Sequence, residues 1–456
     1  MLTDTIAAVA TPLGEGGLAV IRVSGPQAIQ VAERCFVPAG RLAVRPTQAA
    51  SHTIHYGHVL RDGTVVDEVL LGLMRAPRTY TREDLVEFSC HGGPVAVRAV
   101  LETVLSGGAR LAEPGEFTQR AFLNGRLDLA QAEAVADIVH ARTDLALRAA
   151  QEQLAGKLSR RVRELRDSLM NALAHIEAHI DFPEEDIAPD TREQLFQRLA
   201  DALEFVSALL RTAHEGRVLR QGVRAAIVGR PNVGKSSLLN QLLGCERAIV
   251  SPRPGTTRDT IEASASIRGI PLVFVDTAGL REAGDPVEQE GVRRSLAAIA
   301  QSELVLLVLD GSEPWNPEDA RRLEALGTRP CILVRNKTDL PPRLELPAEQ
   351  HRPVVAVCAL TGAGIDLLAD AIQQAVWGGS LQADMFEVMI NARHQDALLR
   401  GRDALERAAE ALRADAPLEV VAMDLRTAAH AVGEIAGQTA TEDLLDRIFS
   451  QFCIGK

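Results

Sequence analysis

The chain of 456 residues is poor in aromatics, at 3%, and its six cysteines, at 35, 90, 245, 331, 358 and 453, include no CxxC pair. Scarce aromatics leave few platforms on which bases can stack. Dispersed cysteines argue against a disulfide framework or a zinc site and for a reducing compartment. No apolar run approaches the ~18 residues that a membrane span needs; the strongest, LVLLVLD at 304–310, is strand-sized. The opening residues, MLTDTIAAVATPLGEGG, show neither a basic stretch before an apolar one nor an Arg- and Ser-rich amphipathic start. The expectation is therefore a cytoplasmic protein with no membrane attachment. A basic surplus is also missing, since 49 Lys and Arg face 61 Asp and Glu for a net charge of −12. A protein whose main task is gripping a nucleic-acid backbone carries the opposite balance, which leaves only a local basic patch for such a role.

What is present falls into three textures, in line with the roughly three domains that this length suggests. Residues 1–124 are Gly-rich with short candidate strands, LAVIRVSG, TVVDEVLLGLM and LVEFSC, and one helix from Pro94 to Leu105, which predicts an α+β domain. Residues 125–215 turn to Ala, Leu, Gln, Glu and Arg with apolar positions at helical spacing, interrupted by DFPEEDIAPD at 181–190 and resuming at Thr191. Residues 216–378 alternate five near-continuous apolar strands (VRAAIVG, PLVFVDT, LVLLVLD, CILVRNK and VVAVCA) with helix-length segments. Buried, mostly parallel strands read this way because helices cover both faces of the sheet. Residues 379–456 return to the helical texture. The fold class expected is multidomain α/β and α+β: an N-terminal α+β domain, a discontinuous helical domain, and a P-loop G domain inserted into it.

The chemistry is carried first by GRPNVGKS at 229–236, which fits G-x-x-x-x-G-K-[ST] between a strand and a helix. Backbone N–H groups there point at phosphate oxygens, Lys235 reaches the β- and γ-phosphates, and the Ser236 hydroxyl ligates Mg²⁺. DTAG at 276–279 ends the strand PLVFV, where Asp276 serves Mg²⁺ through water and the Gly279 N–H meets the γ-phosphate. In NKTD at 336–339, Asp339 accepts two hydrogen bonds from guanine N1–H and the 2-amino group, while Asn336 and Lys337 brace the loop. GTTRD at 255–259 lies between these motifs, with Thr257 placed to complete Mg²⁺ coordination. Four elements in this order predict GTP binding. The residue after Gly279 is Leu280, which cannot orient water as the Ras-type glutamine does. The carboxylates of Glu282, Asp285, Glu288 and Glu290 are the candidates for that task, and no arginine stands out as a finger.

At this point the chain resembles one family, the bacterial tRNA-modification GTPases MnmE (TrmE). The resemblance rests on ATPLGEGGLAVIRVSG, HGGP at 91–94, PGEFTQRAFLNGRLDLAQAEA at 114–134, the terminal FCIGK and the placing of the G domain between two helical segments. It implies a GTP-hydrolysing enzyme that works with the FAD-bearing flavoprotein MnmG (GidA) on certain tRNAs. The pair adds an aminomethyl or carboxymethylaminomethyl group at C5 of the wobble uridine. It implies a homodimer formed through the N-terminal domain, a heterotetramer with MnmG, and K⁺-stimulated hydrolysis as G domains meet, with K⁺ standing where an arginine finger would. The K⁺ ligands it implies are Asn232 and the loop around Ser251, Arg253 and Thr256. It singles out Glu288 as the residue that orients water. GTP contacts then comprise Asn232, Val233, Gly234, Lys235, Ser236 and Ser237, the loop residues Ser251, Thr256 and Thr257, Asp276, Thr277 and Gly279, Asn336, Lys337 and Asp339, and Cys358 with Ala359.

The resemblance further implies a reduced folate (5-formyl or methylene tetrahydrofolate) held by Arg22, Glu87 and Arg126, with Lys456 near the mouth. Cys453 would point toward that region and serve the modification rather than GTP hydrolysis. The chain departs from the family in three places: Arg126 stands where Lys is common, Cys90 precedes HGGP, and CAL at 358–360 replaces SAK or SAR. The change to Arg keeps the charge but turns a point ammonium into a planar fork. The alternative is a GTP-switched ribosome-assembly factor, which would carry a basic RNA-binding appendage that this acidic chain lacks.

Overall fold

Strict alternation in AVIRVS and LVEFSC puts Ile21, Val23, Val86 and Phe88 on the opposite face from Arg22 and Glu87, and the strands pair so that Arg22 lies directly across from Glu87. The computed structural model describes residues 4–41, 43–181, 192–245, 263–275, 297–347, 351–378, 389–439 and 441–456. It divides into two units: Met1–Ala136, Ser159–Arg166 and Val432–Lys456 form the first, and Asp137–Leu158 with Asp167–Ala431 the second.

In the first unit, β1 (Ile6–Val9), β2 (Ala19–Ser24), β3 (Phe36–Pro38), β4 (Thr53–Arg61), β5 (Thr64–Met74), β6 (Leu85–Cys90) and β7 (Arg110–Leu111) form one sheet in the order β3-β4-β5-β6-β2-β1-β7. It is antiparallel except where β7 joins β1. Helices α1 (Ala28–Cys35) and α2 (Pro94–Ser106) pack on the apolar face with Ile21, Val59, Leu71, Phe88 and Val100 in the core. The polar face is left to side chains such as Arg22 and Glu87. Helix α3 (Glu116–Leu123) follows, then α4 (Leu129–His140). Strand β4 was not among the expected strands, because TIHYGHVLR mixes polar and apolar residues on a sheet with one open face.

The second unit holds α5 (Asp144–Leu154), most of α6 (Lys157–Asp181), α7 (Arg192–Arg211) and α8 (Ala213–Gln221). The stretch from 128 to 180, expected to be helical, consists of three helices. Thr143 caps α5, its hydroxyl accepting the Ala146 N–H at 3.1 Å. Gly156 ends the next connection in a left-handed turn (φ 80°). The break expected at 181–190 lies almost wholly outside the described residues. A six-stranded sheet comes next, in the order β13-β12-β11-β8-β10-β9. Its strands are β8 (Val223–Val228), β9 (Ala263–Ile267), β10 (Ile270–Phe274), β11 (Leu304–Asp310), β12 (Cys331–Asn336) and β13 (Val354–Ala356). All pairs are parallel except the β9–β10 edge, and β9 is the strand that the sequence hid, because ASASI carries no apolar run. Helices α9 (Lys235–Cys245), α10 (Pro317–Ala325) and α11 (Ile365–Trp377) belong to this sheet. Then α12 (Ala392–Arg413) returns to pack on α7, with the Arg413 guanidinium 4.8 Å from the Phe196 ring centre. Helices α13 (Leu418–Ala436) and α14 (Glu442–Phe449) end the chain before the FCIGK tail. Helical segments therefore flank the mostly parallel sheet in sequence, as expected.

Candidate functional site

In open parallel sheets the loops at the carboxyl ends of the strands are where ligands are held, and the described GTP motifs occupy those after β8, β12 and β13. Gly234 has φ 96°, and a Cβ there would lie 2.2 Å from Asn336 Nδ2, so only glycine lets the two loops meet. Asn336 in turn donates from Nδ2 to the Val233 carbonyl at 2.8 Å and accepts the Ala359 N–H on Oδ1 at 2.9 Å. One buried amide thus ties the phosphate loop, the guanine loop and the 358–359 turn together. Asn232 stands at φ 62°, a left-handed conformation that Asn tolerates, and its side chain is exposed on the rim of the loop. Ser236 and Ser237 are exposed in the first turn of α9.

Lys235 donates to the carbonyls of Gly229 and Arg230 at 3.1 and 2.7 Å. Burial, with a smaller push from Arg322, brings its pKa down to about 8. Lys337, also left-handed at φ 62°, pairs with Asp310 at 2.5 Å. Burial pushes the Asp310 carboxyl up, but the Lys337 ammonium and two bonds from Ser312 outweigh it and leave it below the ordinary value. Asp339 receives the Cys358 thiol, Sγ to Oδ1 3.2 Å, and Leu360 beside it is exposed. Arg230 is a residue that motif reasoning passed over. It pairs with the fully buried Asp319 of α10 at 3.1 Å and with Glu313 at 2.9 Å, fastening the phosphate loop to that helix. The other residues expected at this site, Ser251, Arg253, Thr256, Thr257, Asp276, Thr277, Gly279, Leu280, Glu282, Asp285, Glu288 and Glu290, lie outside the described residues.

A second polar site sits in the first unit. Arg22 Nε binds Glu87 Oε1 at 2.8 Å, and its Nη1 donates to the Gly455 carbonyl at 3.2 Å. This places the FCIGK tail, with half-buried Lys456, beside the β2–β6 pair. Arg126 leaves α3 through a Schellman turn: its N–H reaches the Ala121 carbonyl at 2.8 Å and the Gly125 N–H reaches Phe122 at 2.9 Å, with Gly125 at φ 69°. Its guanidinium lies 4.7 Å from the Tyr80 ring centre, and that of Arg22 lies 5.8 Å from the same centre and 5.8 Å from that of Phe117. The structure thus brings Arg22, Glu87, Arg126 and the tail together. Tyr80 and Phe117 are the residues that sequence reasoning missed; the only signal was Tyr80's rarity, one of two tyrosines in the chain.

Cys453 is exposed and its carbonyl accepts the Gly115 N–H at 3.4 Å. Cys90 is buried, and desolvation pushes its thiol up to about 11. Among the described residues, no three His, Cys, Asp or Glu side chains gather as a metal site, and no helix is long and apolar enough to cross a membrane.

Two family models match the chain: the MnmE helical domain over residues 129–453, and the GTP-binding protein TrmE N-terminus over residues 5–126. Among curated proteins, the chain is 52% identical to a tRNA modification GTPase MnmE of Chloroflexus aurantiacus, with both proteins covered in full. It is 47% identical to that of Geobacillus kaustophilus over 99% of each chain, and 45% identical to that of Bacillus subtilis over 99% of this chain and all of the other. These full-length matches leave the assembly-factor alternative with no observation in its favour. Nucleotide loops, flanking helical segments and N-terminal sheet all fall within the matched stretches, and the chain belongs to the MnmE (TrmE) family of tRNA modification GTPases.

Proposed function

We propose that this GTPase acts in tRNA modification with the flavoprotein MnmG (GidA), which carries FAD, in a heterotetramer built on a homodimer of this chain. The reaction places an aminomethyl or carboxymethylaminomethyl group at C5 of the wobble uridine. The domains are 1–124 for folate binding and dimerisation, 125–215 and 379–456 for the split helical domain, and 216–378 for the G domain. The observation that carries the GTP half of this reading is the Asn336 bridge, which joins the phosphate loop to the guanine-reading loop.

Lys235 is satisfied by two backbone carbonyls of its own loop. Arriving phosphates compete for it with full negative charge, and charge-assisted bonds are the stronger ones. The exposed Asn232 amide fits a K⁺ ligand, together with Ser251, Arg253 and Thr256, and the exposed Ser236 hydroxyl fits an Mg²⁺ ligand with Thr257. Bound, these cations offset charge on the phosphates. Glu288 orients the attacking water. In the N-terminal domain, the Arg22–Glu87 pair offers donor and acceptor groups side by side, which suits the edge of a reduced folate. Arg126 and Lys456 complete that site, and Cys453 serves the modification step. The acidic total fits a division of labour in which the partner supplies much of the grip on tRNA.

GTP turnover at matched ionic strength in KCl and NaCl, for wild type and Asn232→Ala, tests the cation reading. Strong K⁺ stimulation that Asn232→Ala abolishes is expected. Equal rates in both salts would remove the cation-dependent dimer from the proposal while leaving GTP binding intact.

A further inference from the structure

The two arginines of the N-terminal site are not equivalent. Arg22 already has a carboxylate partner: its Nε binds Glu87 and its Nη1 the Gly455 carbonyl. Arg126 is exposed, and among the described residues no carboxylate pairs with it; the partner its guanidinium has is the Tyr80 ring. A free arginine on the surface samples many rotamers, and a ligand that binds it must first quench that freedom. Tyr80 does the quenching in advance. Its hydroxyl is hydrogen-bonded to the hydroxyl of the fully buried Thr118 at 2.9 Å, and its ring packs against the cluster of Ile6, Ala8, Ala112 and Phe117. The ring is therefore a fixed face, and the Schellman turn fixes the backbone from which Arg126 reaches it.

A preset planar fork without an acid partner, next to an arginine already neutralised, is suited to a carboxylate that accepts two parallel N–H bonds. We propose that Tyr80 is a positioning residue that holds the Arg126 fork for the carboxylate end of the reduced folate, so that the site distinguishes the free glutamyl acid from the same molecule with its carboxylates capped. This rests on the folate reading above. Arg126 is the group that touches the ligand, and Tyr80 acts through it.

The test is equilibrium binding of 5-formyltetrahydrofolate and of its glutamate dimethyl ester to the full-length protein. Wild type should prefer the free acid on the order of tenfold, the value of one bidentate charge-assisted contact. Tyr80→Met keeps an apolar side chain in place without the π face and should cut that preference by roughly three- to tenfold, the range of a cation–π contact. Tyr80→Phe, which keeps the π face and loses only the bond to Thr118, should lower it by roughly two- to threefold. Combined with Arg126→Gln, Tyr80→Met should add nothing further, because the two act as one unit. Should Tyr80→Met fail to fold, Thr118→Val, which removes the hydroxyl anchor and leaves the ring, should lower the preference by roughly two- to threefold. A wild type that binds both ligands equally, or variants of Tyr80 and Thr118 that keep the full preference, would overturn the positioning role and leave the folate site standing. A wild type that binds neither ligand would overturn both.

Discussion

At the nucleotide site, loops at strand ends carry the polar groups, and backbone geometry does most of the work. Asn232 and Lys337 are held left-handed, Gly234 makes room for Asn336, and one buried amide locks three loops. The N-terminal site uses side chains on stiff elements instead. It has a cross-strand ion pair on β2 and β6, an aromatic ring wedged against α3, and an arginine delivered by a helix-end turn. A loop site tolerates little change in its few locking residues but can be reshaped by its ligand. A site built on a sheet face is preorganised and depends on the core beneath it.

The largest effect should come from breaking the support of the N-terminal site. Arg120 is fully buried and pairs with Asp4, Glu83 and Glu116 at 2.8, 3.3 and 2.8 Å. Arg120→Met takes the buried guanidinium from Glu83 and leaves Asp4 and Glu116 to Arg110 alone, and removing one partner of a buried ion pair costs about 3–5 kcal/mol. Hydrogen exchange in urea should show that loss in β1, β2 and β6 while the six-stranded sheet keeps its protection. Burial pushes Asp4 and Glu116 up, yet their bonds to Arg110 and Arg120 outweigh it and hold both below their ordinary values of 3.8 and 4.5. The unfolded chain therefore takes up protons first as pH falls. The stability these groups provide is present above the ordinary values and lost on the way down through the lowered ones. Arg120→Met should move that acid transition to higher pH, and an unmoved transition would mean that Arg110 alone does the holding.

On the nucleotide side, Asn336→Ala should lower GDP and GTP affinity on the order of 100-fold, since it leaves the buried Val233 carbonyl and Ala359 N–H unpartnered at about 1–3 kcal/mol each. Fluorescent-nucleotide titration reads this directly. A loss of only a few-fold would mean that the loops hold their shape independently, and the contrast with the sheet-borne site would weaken.

Lys235 offers a smaller, pH-dependent contrast. Burial brings its pKa down to about 8 in the folded protein, against 10.5 for a free lysine. Between those values the unfolded chain holds a proton that the folded loop has released, so stability relative to Lys235→Met should rise as pH goes from 8 toward 10. Half-burial discounts the gain to about 1 kcal/mol. A difference that stays constant between pH 8 and 10 in urea unfolding would show that the two carbonyls keep the ammonium charged.

How far each site was legible follows from the same contrast. The nucleotide loops were readable because glycine, lysine and aspartate at fixed spacing are demanded by phosphate and guanine, and each stands within a few residues of its strand. The five apolar strands were readable because helices cover both sides, whereas β9 and β4 were not, being an Ala/Ser edge and a strand with one open face. The N-terminal site joins positions 22, 80, 87, 126 and 455, so no local spacing announces it, and only the family resemblance named Arg22, Glu87 and Arg126. Tyr80 escaped even that, because its role exists only once α3 and the β2–β6 pair are assembled around it. Arg230 was hidden for a similar reason, as it lies in the phosphate loop and its partner Asp319 on α10.

The finest test concerns Asp339, the carboxylate proposed to read guanine, and the sulfur beside it. The Cys358 thiol donates to Asp339 Oδ1 at 3.2 Å. A thiol is a weak donor and a hydroxyl a good one. Cys358→Ser should therefore hold the guanine-reading carboxylate more firmly and tighten GDP binding by roughly two- to threefold, about half the value of an ordinary hydrogen bond. Cys358→Ala should loosen it by a similar factor. The readout that isolates the carboxylate is discrimination of GDP from IDP, which lacks the 2-amino group: it should rise in the serine variant and fall in the alanine variant. Equal discrimination in all three proteins would show that the backbone of the 336–339 loop, fixed by Asn336 and Lys337, orients Asp339 without help from position 358.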